Sequence, residues 1–452
     1  MERPKQQSIF ASFAERQIIK DTLLDGNIQQ KMAIIENIDG FDDPDIMYYF
    51  NYYLQNTNDL ATFELLVDKI VNRIGFNFCV SPLTRSTPTM SEKGFNILLG
   101  SNEIGQPCYL DLARCGHVLL LGPTQIGKTS ALKVVLSQVL STQLSLYLHV
   151  LLCDIEREFE NLALQYLINS MNWKAMSFNP IERIEGIDYL DINNRVGSFF
   201  TDSFELREAS TALWADAASS LNNIFLDNVS PNLQNLEEHL AIDSFPGHKN
   251  ETRLIIRNKI KGLIGGTGNV FKVSKSMDFR LLWKLNLLMD FRGLLRSHLY
   301  FLFTSFLGRL LDIAITDKMR PDRPGLLIIV DELGKRLWPA NRQWMESETA
   351  VDSVLTGLAK RGIILLMAEH SYLTLSTMLK SNIGTYICFR QVGENLRAVA
   401  DALNLDPRSK DILGKLNVGQ AICKTRYSPE PFLVNIADPD LFKGENINVN
   451  AG

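Results

Sequence analysis

The chain has 452 residues, 46% hydrophobic and 21% charged, the composition of a soluble globular protein with roughly two to four domains. Its net charge of −5 excludes a whole-protein positive field, so any contact with nucleic acid has to be local. Residues 1–7 lack the apolar core of a secretory leader.

Residues 1–72 read as a helical region. Apolar positions recur at helical spacing, and Asp45 ahead of Ile46 supplies a helix start. Its tyrosines, Tyr48, Tyr49, Tyr52 and Tyr53, fit a core or a surface for a protein partner better than a base-stacking platform. Residues 73–112 change texture. Short strand-like runs, 76–80, 95–99 and 108–112, are separated by turn residues and predict a small β-layer ahead of the main domain.

The main core is expected over 113–203 and 263–437. His117 to Leu121 reads as a fully buried strand. It enters Gly122-Pro123-Thr124-Gln125-Ile126-Gly127-Lys128-Thr129, which fits G-x-x-x-x-G-K-[ST], and residues 129–140 read as the helix that leaves it. The glycines let backbone N–H groups converge on an anion. Lysine reaches the β- and γ-phosphates, and the threonine hydroxyl ligates Mg²⁺. The loop from Gly122 to Thr129, with Ser130 just behind it, is therefore the expected site for ATP and Mg²⁺, at a helix N-terminus.

Residues 146–154 form a second apolar run ending in the carboxylate of Asp154, and Phe178-Asn179-Pro180-Ile181 marks another strand end. Residues 204–262 read as an inserted helical subdomain. Strands follow at 285–291, 326–330, 362–368 and 385–389, separated by helical stretches. That alternation predicts an α/β fold with a doubly wound, mostly parallel sheet. Residues 421–424 and 431–436 suit a closing hairpin, and 438–452 a loose polar tail. The most apolar window, 297–315, contains His298, Arg309 and Asp312, which favours a buried helix over a membrane span. Cys79, Cys108, Cys115, Cys153, Cys388 and Cys423 show no metal-ligand spacing and suit reduced thiols of a cytosolic protein. The histidines do not cluster, so no structural metal is expected.

Asp331-Glu332 ends the apolar run 326–330. Asp331 is placed to hold Mg²⁺ and Glu332 to polarise an attacking water as general base. Glu369, at the end of run 362–368, is a candidate contact for the γ-phosphate or that water, although an ionised carboxylate repels phosphate. Arg390 ends run 385–389 and can neutralise charge on the γ-phosphate, often across a subunit boundary, with Arg397 the alternative. Lys249, Arg253, Arg257 and Lys261 recur every four residues and would form one basic stripe on a helix. Such a stripe can follow a DNA backbone, but a solvated face is its ordinary meaning. Lys335 and Arg336 are a second candidate DNA contact.

Taken together, these pieces resemble the HerA/FtsK superfamily of P-loop motors with a RecA-like sheet, which includes conjugative coupling and secretion ATPases. The resemblance covers residues 95–436. It rests on the histidine-led strand 117–121 before the loop, Asp154 with Glu158-Phe159, and Phe178-Asn179-Pro180-Ile181. It rests also on the segment 359–368, the strand and helix from Thr385 to Leu403, and the closing pattern 413–421. It implies a ring, usually a hexamer, with ATP sites between subunits, pumping DNA or sometimes protein. Glu369 departs from the glutamine usual there. No paired membrane helices precede the core, so the expectation is a cytoplasmic protein, or one peripheral to a membrane secretion complex. A protein-export ATPase without DNA contact, and a nucleotide-gated scaffold, are the alternative functions.

Overall fold

Strands that are apolar on both faces need cover on both sides, and the chain provides it with helices above and below one sheet. The computed structural model describes Gln30 and residues 95–442, except 142–146, 156, 158, 207, 226–228, 243–247, 332–349 and 429. The expected helical region 1–72 apart from Gln30, the run 76–80, Glu158, Glu332, Lys335 and Arg336 lie outside the described residues.

In chain order come β1 (Asn96–Ser101), β2 (Pro107–Asp111), β3 (His117–Leu121), α1 (Lys128–Ser141), β4 (His149–Asp154), α2 (Glu160–Gln165) and β5 (Asn169–Asn172). Four helices follow: α3 (Tyr189–Ser203), α4 (Glu208–Ile224), α5 (Leu233–Ile242) and α6 (His248–Thr267). The chain then alternates β6 (Leu287–Asp290), α7 (Arg296–Thr316), β7 (Leu326–Asp331), α8 (Ala350–Ala359), β8 (Ile363–Glu369), α9 (Thr377–Asn382) and β9 (Ile383–Cys388). It closes with α10 (Gly393–Leu403), α11 (Pro407–Lys415), β10 (Gln420–Thr425) and β11 (Phe432–Ile436).

All the strands join one 11-stranded sheet in the order β2-β1-β11-β10-β9-β3-β8-β7-β4-β6-β5. From β9 to β5 the pairing is parallel, and β10, β11, β1 and β2 extend it antiparallel. Thus 95–112, expected as a layer ahead of the main domain, instead lengthens the same sheet, because β11 returns to pair with β1. The closing hairpin forms as expected. Alternate residues of each central strand face opposite ways. Val118, Leu120, Ile329 and Leu366 pack with α1, while Leu119, Leu121, Ile328 and Leu365 pack with α3, α4, α7 and α8. The doubly wound arrangement follows from that two-sided burial.

Two expectations are corrected. Phe178–Ile181 is not a strand end. The outer strand is β5, read from the polar stretch Asn169-Ser170-Met171-Asn172, and Phe178 and Ile181 are buried in the core beneath the helices. The tail also begins with a short turn, Pro439–Phe442, packed against α1. The helical stretch read at 204–262 contains α4, α5 and most of α6, and helix continues on both sides of it. Arg296–Thr316 is long and apolar enough to cross a membrane, yet 89% of its apolar window is buried inside the protein.

Asn179 ties that helical region to the sheet. It is fully buried, and its amide donates to Pro231 O at 2.8 Å and Ser274 O at 3.0 Å while accepting from Ile181 N at 3.2 Å. Its own carbonyl accepts from buried Arg309 at 2.7 Å. Further along α7, Asp312 pairs with Arg195 of α3 at 2.5 Å. Burial pushes the Asp312 carboxyl up and the Arg309 guanidinium down.

His117 is the corresponding pin within the sheet. It is fully buried, Leu365 N donates to its Nδ1 at 3.1 Å, and its Nε2 donates to Leu355 O at 2.8 Å. Burial lowers its pKa to about 4. The five described cysteines are free and buried.

Two stability measurements test this account. An Asn179→Ala variant strands the buried Pro231 carbonyl and Ile181 N–H and frees the Ser274 carbonyl, and is expected to lose roughly 2–4 kcal/mol in denaturant unfolding. Because the folded His117 pKa lies below its ordinary 6.5, the unfolded chain binds the proton more readily. Stability is therefore expected to fall as pH drops from about 6.5 to about 4, and a His117→Gln variant should show a shallower slope there.

Candidate functional site

The parallel strands β9, β3, β8 and β7 end at one edge. Leu121 is in register with Glu369 and Cys388, and Asp331 with Ala368. Ligands of open α/β sheets sit outside the carboxyl ends of such strands. Here the edge collects the loop 122–127, Glu369-His370, Asp331 and the Phe389-Arg390 exit.

The loop rests on two residues remote in sequence. A Cβ on Gly122 would lie 2.9 Å from Phe389 Cβ, and one on Gly127 would lie 3.0 Å from the Phe389 ring and 3.2 Å from Gly419 backbone. Phe389 N donates to Leu121 O at 2.8 Å, and Gly419 N to Ile126 O at 3.0 Å. Gly127 has φ +117° and Gln125 φ +61°, so the loop takes a turn that glycine allows at 127. Ile126 is buried beneath it, while Pro123 is half-buried and Thr124 and Gln125 are exposed.

Lys128 opens α1 and is 8% exposed. Its ammonium donates to Gly122 O at 2.6 Å, meets His370 Nδ1 at 3.1 Å and reaches Glu369 O at 3.4 Å. A pocket of about 250 Å³ opens here, with Gln125 and residues 127–130 on one wall and Asp331, His370 and Val418 on the other. The hydroxyls of Thr129 and Ser130 and the half-buried carboxylate of Asp331 thus share one cavity with the lysine. This donor set fits a hard divalent cation bound beside phosphates. Thr129 and Asp331 would hold Mg²⁺, which would neutralise phosphate charge.

The other expected residues fall as follows. Glu369 is buried at 1% exposure and does not line the pocket; its carbonyl accepts from Gly122 N at 3.1 Å. Arg390 and Arg397 are both exposed, the first directly past β9 and the second on α10. The stripe on α6 is helical, but two of its members are engaged within the fold. Arg257 pairs with Glu237 of α5 at 2.8 Å. Arg253 hydrogen-bonds Asn250 at 2.7 Å and the Leu240 carbonyl. Lys261 is exposed.

Phe389, Gly419, Val418 and the His370 contact were not legible as site residues, because each reaches the loop from a separate strand end. A larger cavity, about 870 Å³, lies around Arg183, Arg280 and Arg309. Two of its arginines are paired, Arg280 with Asp317 at 2.9 Å and Arg309 with Glu182 at 3.5 Å.

The fold and this edge together define a RecA-like P-loop fold. Among solved structures it resembles VirB4 of Thermoanaerobacter pseudethanolicus, with a TM-score of 0.58 at 15% identity over 78% of this chain and 98% of that one. It also resembles the plasmid coupling protein TrwB in complex with the non-hydrolysable ATP analogue ADPNP, with a TM-score of 0.52 at 14% identity over 79% of this chain and 91% of that one. The unbound form of the bacterial conjugative coupling protein TrwB, lacking its first 70 residues, gives a TM-score of 0.50 at 14% identity, covering 78% and 91%. No family model matches the sequence, and no curated protein matches it. The doubly wound, mostly parallel RecA-like sheet expected from the sequence is therefore present.

A Gly127→Ala variant tests the loop. Its φ and the contact with Phe389 and Gly419 predict about 1–3 kcal/mol of strain. ADPNP binding, measured by calorimetry, is expected to weaken by roughly five- to 150-fold.

Proposed function

We propose that this chain is an ATP-hydrolysing motor of the coupling or HerA type, working as a ring, usually a hexamer, that translocates DNA. The observation that carries the reading is the convergence of Lys128, Thr129 and Asp331 in one pocket at the carboxyl edge of the sheet. Lys128 would grip the β- and γ-phosphates, Thr129 and Asp331 would hold Mg²⁺, and Glu332 would activate water. Arg390 is exposed on the same edge, which suits a residue donated to a neighbouring subunit's site. The likeness to a coupling protein bound to an ATP analogue is consistent with the same chemistry.

A second reading, an ATPase that drives protein export or assembly without touching DNA, gains from the basic stripe. With Arg253 and Arg257 held by α5, that face offers DNA less free charge than its sequence promised. Lys335 and Arg336 remain the proposed DNA contacts. The protein would work in the cytoplasm or at a membrane secretion complex, with 1–72 docking a protein partner.

ATPase assays with and without single- and double-stranded DNA, alongside native mass measurement with ADPNP, separate these readings. DNA-stimulated turnover by a six-subunit species is expected. Turnover indifferent to DNA favours the export reading, and a stable monomer removes the role of Arg390. Asp331→Asn is expected to lower kcat at least 100-fold, as loss of a metal-holding carboxylate should.

A further inference from the structure

We propose that His370 reads the terminal phosphate in this site, the role the sequence suggested for Glu369. The inference rests on the ATPase reading above.

An ammonium has three N–H donors and no acceptor. The contacts of Lys128 Nζ to Gly122 O at 2.6 Å, His370 Nδ1 at 3.1 Å and Glu369 O at 3.4 Å match those donors with protein atoms. Because the ammonium can only donate, Nδ1 of His370 accepts. The ring proton then sits on Nε2.

The topology decides where that proton is useful. β8 lies between β3, which feeds the loop, and β7, which ends at Asp331. A terminal phosphate gripped by Lys128 and by a cation on Thr129 and Asp331 must therefore sit over the end of β8. Of the two residues at that end, Glu369 is buried at 1% exposure and outside the pocket wall, whereas His370 is half-buried and in it. An imidazole N–H can donate to a phosphate oxygen, where an ionised carboxylate would repel it. When Lys128 turns onto phosphate it leaves Nδ1, and the imidazole can turn toward the same anion.

A diphosphate engages Lys128 but has no terminal group for His370. Release of the lysine from the imidazole is common to ADP and to the triphosphate, so its contribution cancels in the ratio of their affinities. That ratio isolates the histidine's own contact.

The test is calorimetric binding of Mg–ADPNP and Mg–ADP to the full chain, its Lys128→Ala variant, and three His370 variants. His370→Ala and His370→Leu, the second filling the ring's volume without a donor, are expected to lower the ADPNP-to-ADP preference about tenfold, the worth of one lost charge-assisted hydrogen bond. His370→Gln, whose amide both accepts and donates, should restore it to within about threefold. A parental preference in either folded donor-free variant overturns the assignment while leaving the ATPase reading intact. Failure of the parent to bind either nucleotide overturns both.

Discussion

A buried ammonium that must be satisfied without water governs the working edge of this protein. Lys128 is nearly closed off from solvent, and its acceptors come from the loop carbonyl of Gly122 and from the end of β8. An unpaired buried charge would cost several kcal/mol. The loop strand and β8 must therefore end at the same height, and their parallel register puts Leu121 beside Glu369. The same register carries Asp331 to the edge one strand further on. The placement of Lys128, Asp331 and His370 around one pocket is a consequence of that alignment.

The loop is held from below with equal economy. Phe389 and the Gly419 backbone touch the two motif glycines so closely that a methyl group at either would collide. Phe389 follows the strand on the far side of β3, and Gly419 precedes β10 beyond it. The antiparallel extension of the sheet is thus not an ornament beside the parallel core. Its first strand turns in at the point where the phosphate loop needs support.

Several polar residues that suggested chemistry serve the framework instead. Asn179 closes a hydrogen-bond knot joining the segments around Pro231 and Ser274 to α7 through Arg309. Arg253 and Arg257 clamp α5 to α6. His117 cross-links β3 to α8 and β8 in its neutral form. Desolvation explains the pattern: once such groups are buried, they persist only where partners satisfy them, so they mark joints.

The sequence by itself determined the parallel sheet, its helices, and the phosphate loop. Uninterrupted apolar runs must be buried on both faces, and the glycine-lysine-threonine spacing is a local, short-range code. Asp331 was legible for the same reason, as the polar end of an apolar run. What only the tertiary structure decided were matters of strand order and side-chain facing. These include β1 and β2 joining the main sheet, the polar edge strand β5, the burial of Glu369 with His370 turned to the pocket, and the Phe389–Gly419 seat. Each depends on contacts between segments tens to hundreds of residues apart, and local periodicity carries no information about which strands become neighbours.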